Sequence, residues 1–90
     1  MSQAIKVTVK YFASIREAIG VSAESISIDG LQATSVAALR DLLIAKGSPY
    51  AEVLARGRSV RTALNQVMCD ESASLTDGCE AAFFPPVTGG

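Results

Sequence analysis

Ninety residues, 49% of them hydrophobic, supply enough apolar surface for one domain whose core needs no disulfide or metal. Eight Lys+Arg against nine Asp+Glu give a net charge of −1 and a pI near 5.2, which argues against nucleic-acid binding, since such surfaces carry a basic excess. No apolar run approaches the ~20 residues of a membrane span. The N-terminus lacks a signal-peptide layout, so a cytoplasmic location without a membrane partner is expected.

Ile5, Val7, Val9 and Tyr11 alternate with Lys6, Thr8 and Lys10, predicting a strand with one buried face. Phe12 falls in the polar phase. Ser14-x-x-Glu17 reads as a capping box opening a short helix that Gly20 stops. Glu24 to Ile28 alternates again and ends in the Asp29-Gly30 turn, giving a second strand antiparallel to the first. Thr34 is placed to cap the main helix, whose apolar stripe is Val36, Leu39, Leu42 and Leu43, with Arg40, Asp41 and Lys46 mostly off it. Gly47 ends that helix, and Lys46 suits the negative end of its dipole. Ser48-Pro49 starts a short helix running to about Arg56, with proline at its first position. Val60 to Met68 reads as β, divided by a tight turn at Asn65-Gln66, with side-chain phase undetermined beyond Leu64. Leu75-Thr76-Asp77-Gly78 is a turn, and Glu80 to Phe84 is the last strand.

This order predicts an α+β, β-grasp (ubiquitin-like) fold, a mixed sheet packed on one main helix with first and last strands parallel at its centre. A split βαβ sandwich uses similar parts. Residues 1–84 form the domain and 85–90 a flexible, extended tail. In the last strand Ala81 and Phe83 share one face and Glu80, Ala82 and Phe84 the other. Phe12 and Phe84 are therefore expected side by side on the exposed face where the tail departs, as a docking patch.

The chain closes in Phe83-Phe84-Pro85-Pro86-Val87-Thr88-Gly89-Gly90. Two prolines hold this segment extended, and two glycines allow backbone to enter a channel too narrow for side chains. Gly90 carries a carboxylate, which resists nucleophiles until it is converted to an acyl donor. The two cysteines, Cys69 and Cys79, lack metal-ligand spacing and read as free and structural, with no metal site expected. The absence of histidine removes the commonest general base, so a partner is expected to supply catalytic groups.

Tyr11-Phe12-Ala13 with Arg16-Glu17, the Leu75-x-Asp77-Gly78 turn, Phe83-Phe84-Pro85-Pro86-Val87 and terminal Gly89-Gly90 together closely resemble the small, ubiquitin-like sulfur-carrier subunits of molybdopterin synthase. The resemblance covers nearly the whole chain and is weakest from Gly47 to Arg61. It implies a non-catalytic subunit with no bound cofactor. A ubiquitin-activating-type adenylyltransferase uses ATP to adenylate Gly90, and sulfur from a persulfide donor system displaces AMP to leave a thiocarboxylate. The loaded tail enters the large subunit and gives its sulfur to cyclic pyranopterin monophosphate, building the dithiolene of molybdopterin in a heterotetramer. Carried onto this sequence, Gly90 is the reactive residue, Gly89 permits passage, and Pro85, Pro86, Val87 and Thr88 form the spacer. Phe12, Phe84 and Met68 match apolar contact positions. Cys79 departs from the acidic residue often found after the Asp-Gly turn, and the acyl route needs no thiol there. Carriers for thiamine or cysteine synthesis, a ubiquitin-like modifier joined to lysines, and an interaction module with an inert tail remain alternative readings.

Overall fold

The computed structural model describes residues 4–29 and 35–86. Expectations resting on Gly30, Thr34 and residues 87–90 lie outside them. The elements run β1 (Ala4–Tyr11), α1 (Ala13–Ile19), β2 (Ala23–Asp29), α2 (Val36–Ile44), α3 (Tyr50–Val53), β3 (Arg61–Leu64), β4 (Val67–Cys69) and β5 (Glu80–Phe84). The sheet order is β2-β1-β5-β3-β4. β1 and β5 are parallel at its centre, as the β-grasp expectation requires, and the remaining pairs are antiparallel.

The period-two pattern of β1 buries Val7, Val9 and Tyr11 in one core with Ile26 and Ile28 of β2, Ala81 and Phe83 of β5, and Val36, Leu39 and Leu43 of α2. Register at the sheet centre is held by the loop before β5. The Asp77 carboxylate accepts from the Lys6 amide at 2.8 Å, and the Gly78 amide donates to the Lys6 carbonyl at 2.7 Å. Gly78 reaches this geometry at φ +83°, a conformation that costs glycine nothing. Asn65 and Gln66 turn the β3–β4 hairpin with both φ positive, the primed geometry that matches strand twist. Asn65 also spans to β5, its carboxamide oxygen accepting from the Glu80 amide at 3.0 Å.

Several local expectations are corrected. Helix α1 begins at Ala13, and its N-cap, Phe12, offers no side-chain bond, so Ser14-x-x-Glu17 is not a capping box. Ser35 caps α2, its hydroxyl accepting from the Ala38 amide at 3.1 Å, while the carbonyls of Ala73 and Glu71 take the Val36 and Ala37 amides. Pro49, after a cis Ser48-Pro49 bond, is the N-cap of α3 rather than its first residue, and α3 ends at Val53. Lys46 lies beyond the last turn of α2, with its ammonium over the Tyr50 ring at 5.3 Å.

Arg40 is the largest correction, being only 3% exposed. Its guanidinium donates to the carbonyls of Leu54 at 2.7 Å, Ala55 at 2.6 Å and Arg58 at 3.0 Å, and pairs with Glu71 at 2.8 Å. A planar fork of five donors suits several carbonyls at once. Arg56 extends the network to Glu71 and Asp41. The segment before β3 is thereby fixed without secondary structure of its own. Among the described residues, no helix is long and apolar enough to cross a membrane.

Candidate functional site

Parallel pairing brings the ends of β1 and β5 to the same edge of the sheet. Tyr11 lies opposite Phe83, and the ladder runs one residue further, the Phe12 amide donating to the Phe83 carbonyl at 3.2 Å. That bond holds Phe12 extended after its strand has ended. Ala13 then turns the chain sharply at φ +53° and α1 begins.

Phe12, 45% exposed, and the half-buried Phe84 meet edge to face, with ring centroids 6.1 Å apart and planes at 88°. The side-by-side placement read from strand phase is therefore present. Such aromatic pairs contribute about 0.5–1.5 kcal/mol beyond area burial. Behind them Ala82 and Ala63 lie opposite one another, and Met68 lies opposite Ala63. Met68 is 57% exposed and shares the face of Phe84, two strands away. Lys10 and Glu80, paired at 3.3 Å, bound this apolar strip on the β1 side.

The tail leaves beside the strip. Pro85 lines a shallow cleft of about 120 Å³ with Ser14, Ile15, Val53, Arg58 and Ser59. Arg58 is held there because Arg40 binds its carbonyl. On the helix side, the Tyr11 and Tyr50 hydroxyls donate to the same Glu24 oxygen at 2.6 and 2.8 Å, tying the end of β1 to β2 and α3. Burial, reinforced by the Glu24 hydrogen bond, pushes the Tyr11 phenol far above its usual range. Burial pulls the Glu24 carboxyl upward, but the two phenol hydrogen bonds and nearby Lys46 outweigh it and leave it below its ordinary value.

Cys79 is buried, and Cys69 is half-buried with its sulfur 3.7 Å from the Thr62 hydroxyl. Among the described residues, no three His, Cys, Asp or Glu side chains are grouped to hold a metal. The arrangement is suited to presenting a tail. Pro85 and Pro86 are in place at its root; Val87, Thr88, Gly89 and Gly90 lie outside the described residues.

The sequence did not single out Arg61, which lies opposite Phe84 on the exposed face. Counting back by twos from the Asn65-Gln66 turn would have found it. Arg58 carried no local signal, because its position depends on Arg40.

A family model described as the ThiS family matches residues 9–90. A relative in Escherichia coli (strain K12), named molybdopterin synthase sulfur carrier subunit, is 39% identical over 84 residues, covering 93% of this chain and 99% of the relative. SAMP1 from Haloferax volcanii superposes with a TM-score of 0.72 at 27% identity, over 94% of this chain and 99% of that one. A chain from the complex of subunits 1 and 2 of the molybdopterin-converting factor of Helicobacter pylori superposes with a TM-score of 0.61 at 29% identity, over 96% and 100%.

Proposed function

The chain belongs to the ThiS family, and we propose that within it this protein is a sulfur carrier for molybdenum cofactor synthesis. The observation that carries the reading is the near end-to-end match to the Escherichia coli carrier subunit. The site geometry supports it independently. This edge of the sheet places two phenylalanines at the root of a Pro-Pro…Gly-Gly tail.

In this reading the Gly90 carboxylate attacks the α-phosphate of ATP within a ubiquitin-activating-type adenylyltransferase, and pyrophosphate leaves. The terminal sulfur of a persulfide then displaces AMP to give an acyl disulfide, and a donor thiol cleaves its S–S bond, releasing the thiocarboxylate and leaving a disulfide on the donor. The partner for sulfur delivery is the large subunit of molybdopterin synthase, a role favoured by the two-subunit complex of the Helicobacter pylori relative. Phe12, Phe84 and Met68 seat the carrier on it. From Pro85 onward the tail reaches about 20 Å at ~3.3 Å per residue, enough to put Gly90 deep inside a partner. Gly89 removes the side chain that would block the last step, and Val87 and Thr88 act as spacer. The substrate there is cyclic pyranopterin monophosphate, whose dithiolene needs two sulfurs and hence two loaded carriers.

The test is mass spectrometry of the C-terminal peptide after incubation with ATP, activating enzyme and a sulfur source. One oxygen of Gly90 should be exchanged for sulfur. Label confined to Cys69 or Cys79 would remove the acyl mechanism. Likeness to SAMP1, a small archaeal modifier protein, favours a second reading in which the activated glycine is joined to lysines; an isopeptide bond from Gly90 is its distinguishing product.

A further inference from the structure

Arg61 and Phe84 are direct cross-strand partners on the outward face of the sheet. Side chains so paired have Cβ atoms only about 4.5–5.5 Å apart. Any surface that covers Phe84 therefore also covers Arg61. The Arg61 side chain is exposed and, among the described residues, makes no hydrogen bond, ion pair or ring contact. The neighbouring outward carboxylate, Glu80, is already engaged by Lys10. Asp29, on the same face, sits opposite Ala4 at the far end of β1, and Asp70, which follows the Thr62 partner Cys69 and so is next in register to Arg61, already accepts from the Ser72 amide at 2.9 Å.

A lone exposed arginine is ordinarily a solvated surface residue, and Lys6 on the same face fits that description. Arg61 differs because docking on the phenylalanines must strip its water. A wholly apolar partner would then leave a buried guanidinium unpaired, at a cost that opposes binding. A partner with a carboxylate at that point gains a charge-assisted, bidentate pair instead. The same residue thus rewards one surface and rejects others.

Resting on the carrier reading above, we infer that the large-subunit face seated on Phe12 and Phe84 is apolar with one carboxylate opposite Arg61, so that Arg61 selects the cognate partner. Arg58, fixed beside Pro85, adds positive charge on the same approach without entering the strip.

Calorimetric titration of the full chain against the large subunit encoded in the same genome tests this. Arg61→Gln should weaken binding by about tenfold or more, Arg61→Glu further, and Arg61→Lys should recover part of the loss. Lys6→Gln is the control, about 17 Å along β1 from Tyr11 at ~3.3 Å per residue, and should change affinity less than about twofold. Reversing one large-subunit carboxylate to lysine should restore binding of the Arg61→Glu chain. Unchanged or tighter binding by Arg61→Gln, an equal loss from Lys6→Gln, or no restoring carboxylate overturns the inference. Sulfur loading at Gly90, measured in parallel, separates the two proposals. Normal loading with binding indifferent to Arg61 removes this inference alone, whereas neither loading nor binding by the unaltered chain removes the carrier reading as well.

Discussion

Replacing Phe12 with alanine isolates the docking strip from the fold. Full burial of a phenylalanine side chain stabilises by about 1.5–3 kcal/mol. Phe12 is already partly covered by its own protein and is 45% exposed, so a partner can cover roughly the remaining half. The affinity at stake is therefore about 0.7–1.4 kcal/mol, or a three- to tenfold weaker Kd for Phe12→Ala. Phe12→Lys should lose more, because an ammonium would enter an apolar contact. The fold loses only the edge-to-face pair with Phe84, about 0.5–1.5 kcal/mol, a fall in Tm of about 10 °C or less for a domain of this size. Calorimetric titration with the large subunit and thermal unfolding on the same samples measure both. Unchanged affinity in a folded Phe12→Ala chain would refute docking through this strip. A Tm loss of about 20 °C would instead make Phe12 a core residue and invalidate the exposed-face argument.

Deleting Gly90 should abolish sulfur transfer while leaving thermal unfolding unchanged, since the core cluster is built from residues between Val7 and Phe83; retained activity would make the tail inert. Arg40→Ala leaves three carbonyls without their donor and Glu71 with Arg56 alone, and should cost at least about 3 kcal/mol, or about 12 °C in Tm, with Arg40→Lys recovering little because an ammonium lacks the planar fork. Glu24 has a folded pKa below its ordinary 4.5, so its stabilisation is present above that value and is lost as pH falls through the folded one. Glu24→Gln should flatten that acid limb in a plot of Tm against pH. Tyr11 has its pKa raised above 10.0, so stability should decline as pH rises past 10.0, a limb that Tyr11→Phe reduces.

The sheet centre was legible because its residues obey a local rule. Ile5 to Tyr11 alternates cleanly, and although Ala81, Ala82 and Phe83 of β5 are all buried, the two-residue period that puts Ala81 and Phe83 inward turns Phe84 outward, as the phase of β1 does Phe12. What escaped the sequence depends on distant partners. Arg40 looks like a solvent-facing helix residue until the carbonyls of Leu54, Ala55 and Arg58 are gathered around it, and helical periodicity carries no information about them. The start of α1 misled for the same reason. Ser14 and Glu17 have the spacing of a cap, but the bond from Phe12 to the Phe83 carbonyl settles where the strand ends and starts the helix two residues early. Arg61 lies between these cases, because its phase was readable once the hairpin at Asn65-Gln66 was fixed.

The parallel pairing of β1 and β5 explains why the proposed docking strip and the root of the tail occur together. In an antiparallel pair the residue after one strand and the end of the other lie at opposite edges. Phe12 would then be separated from the tail by the length of the sheet. With parallel strands, Phe12 and Phe84 are neighbours by register, and Pro85 follows at once. A partner gripping the ring pair therefore holds the origin of the tail within one residue. The coupling also makes β5 intolerant of a change in phase. With Ala81 held inward, one residue inserted between Ala81 and Phe83 would put Phe83 outward and Phe84 into the core, because successive side chains alternate faces. Phe83 is wholly buried and Phe84 only partly so, and the two positions are not interchangeable despite the same side chain. On the proposed docking role, fold and recognition are one residue apart in the same strand, and it is the core requirement of Phe83 that turns Phe84 outward.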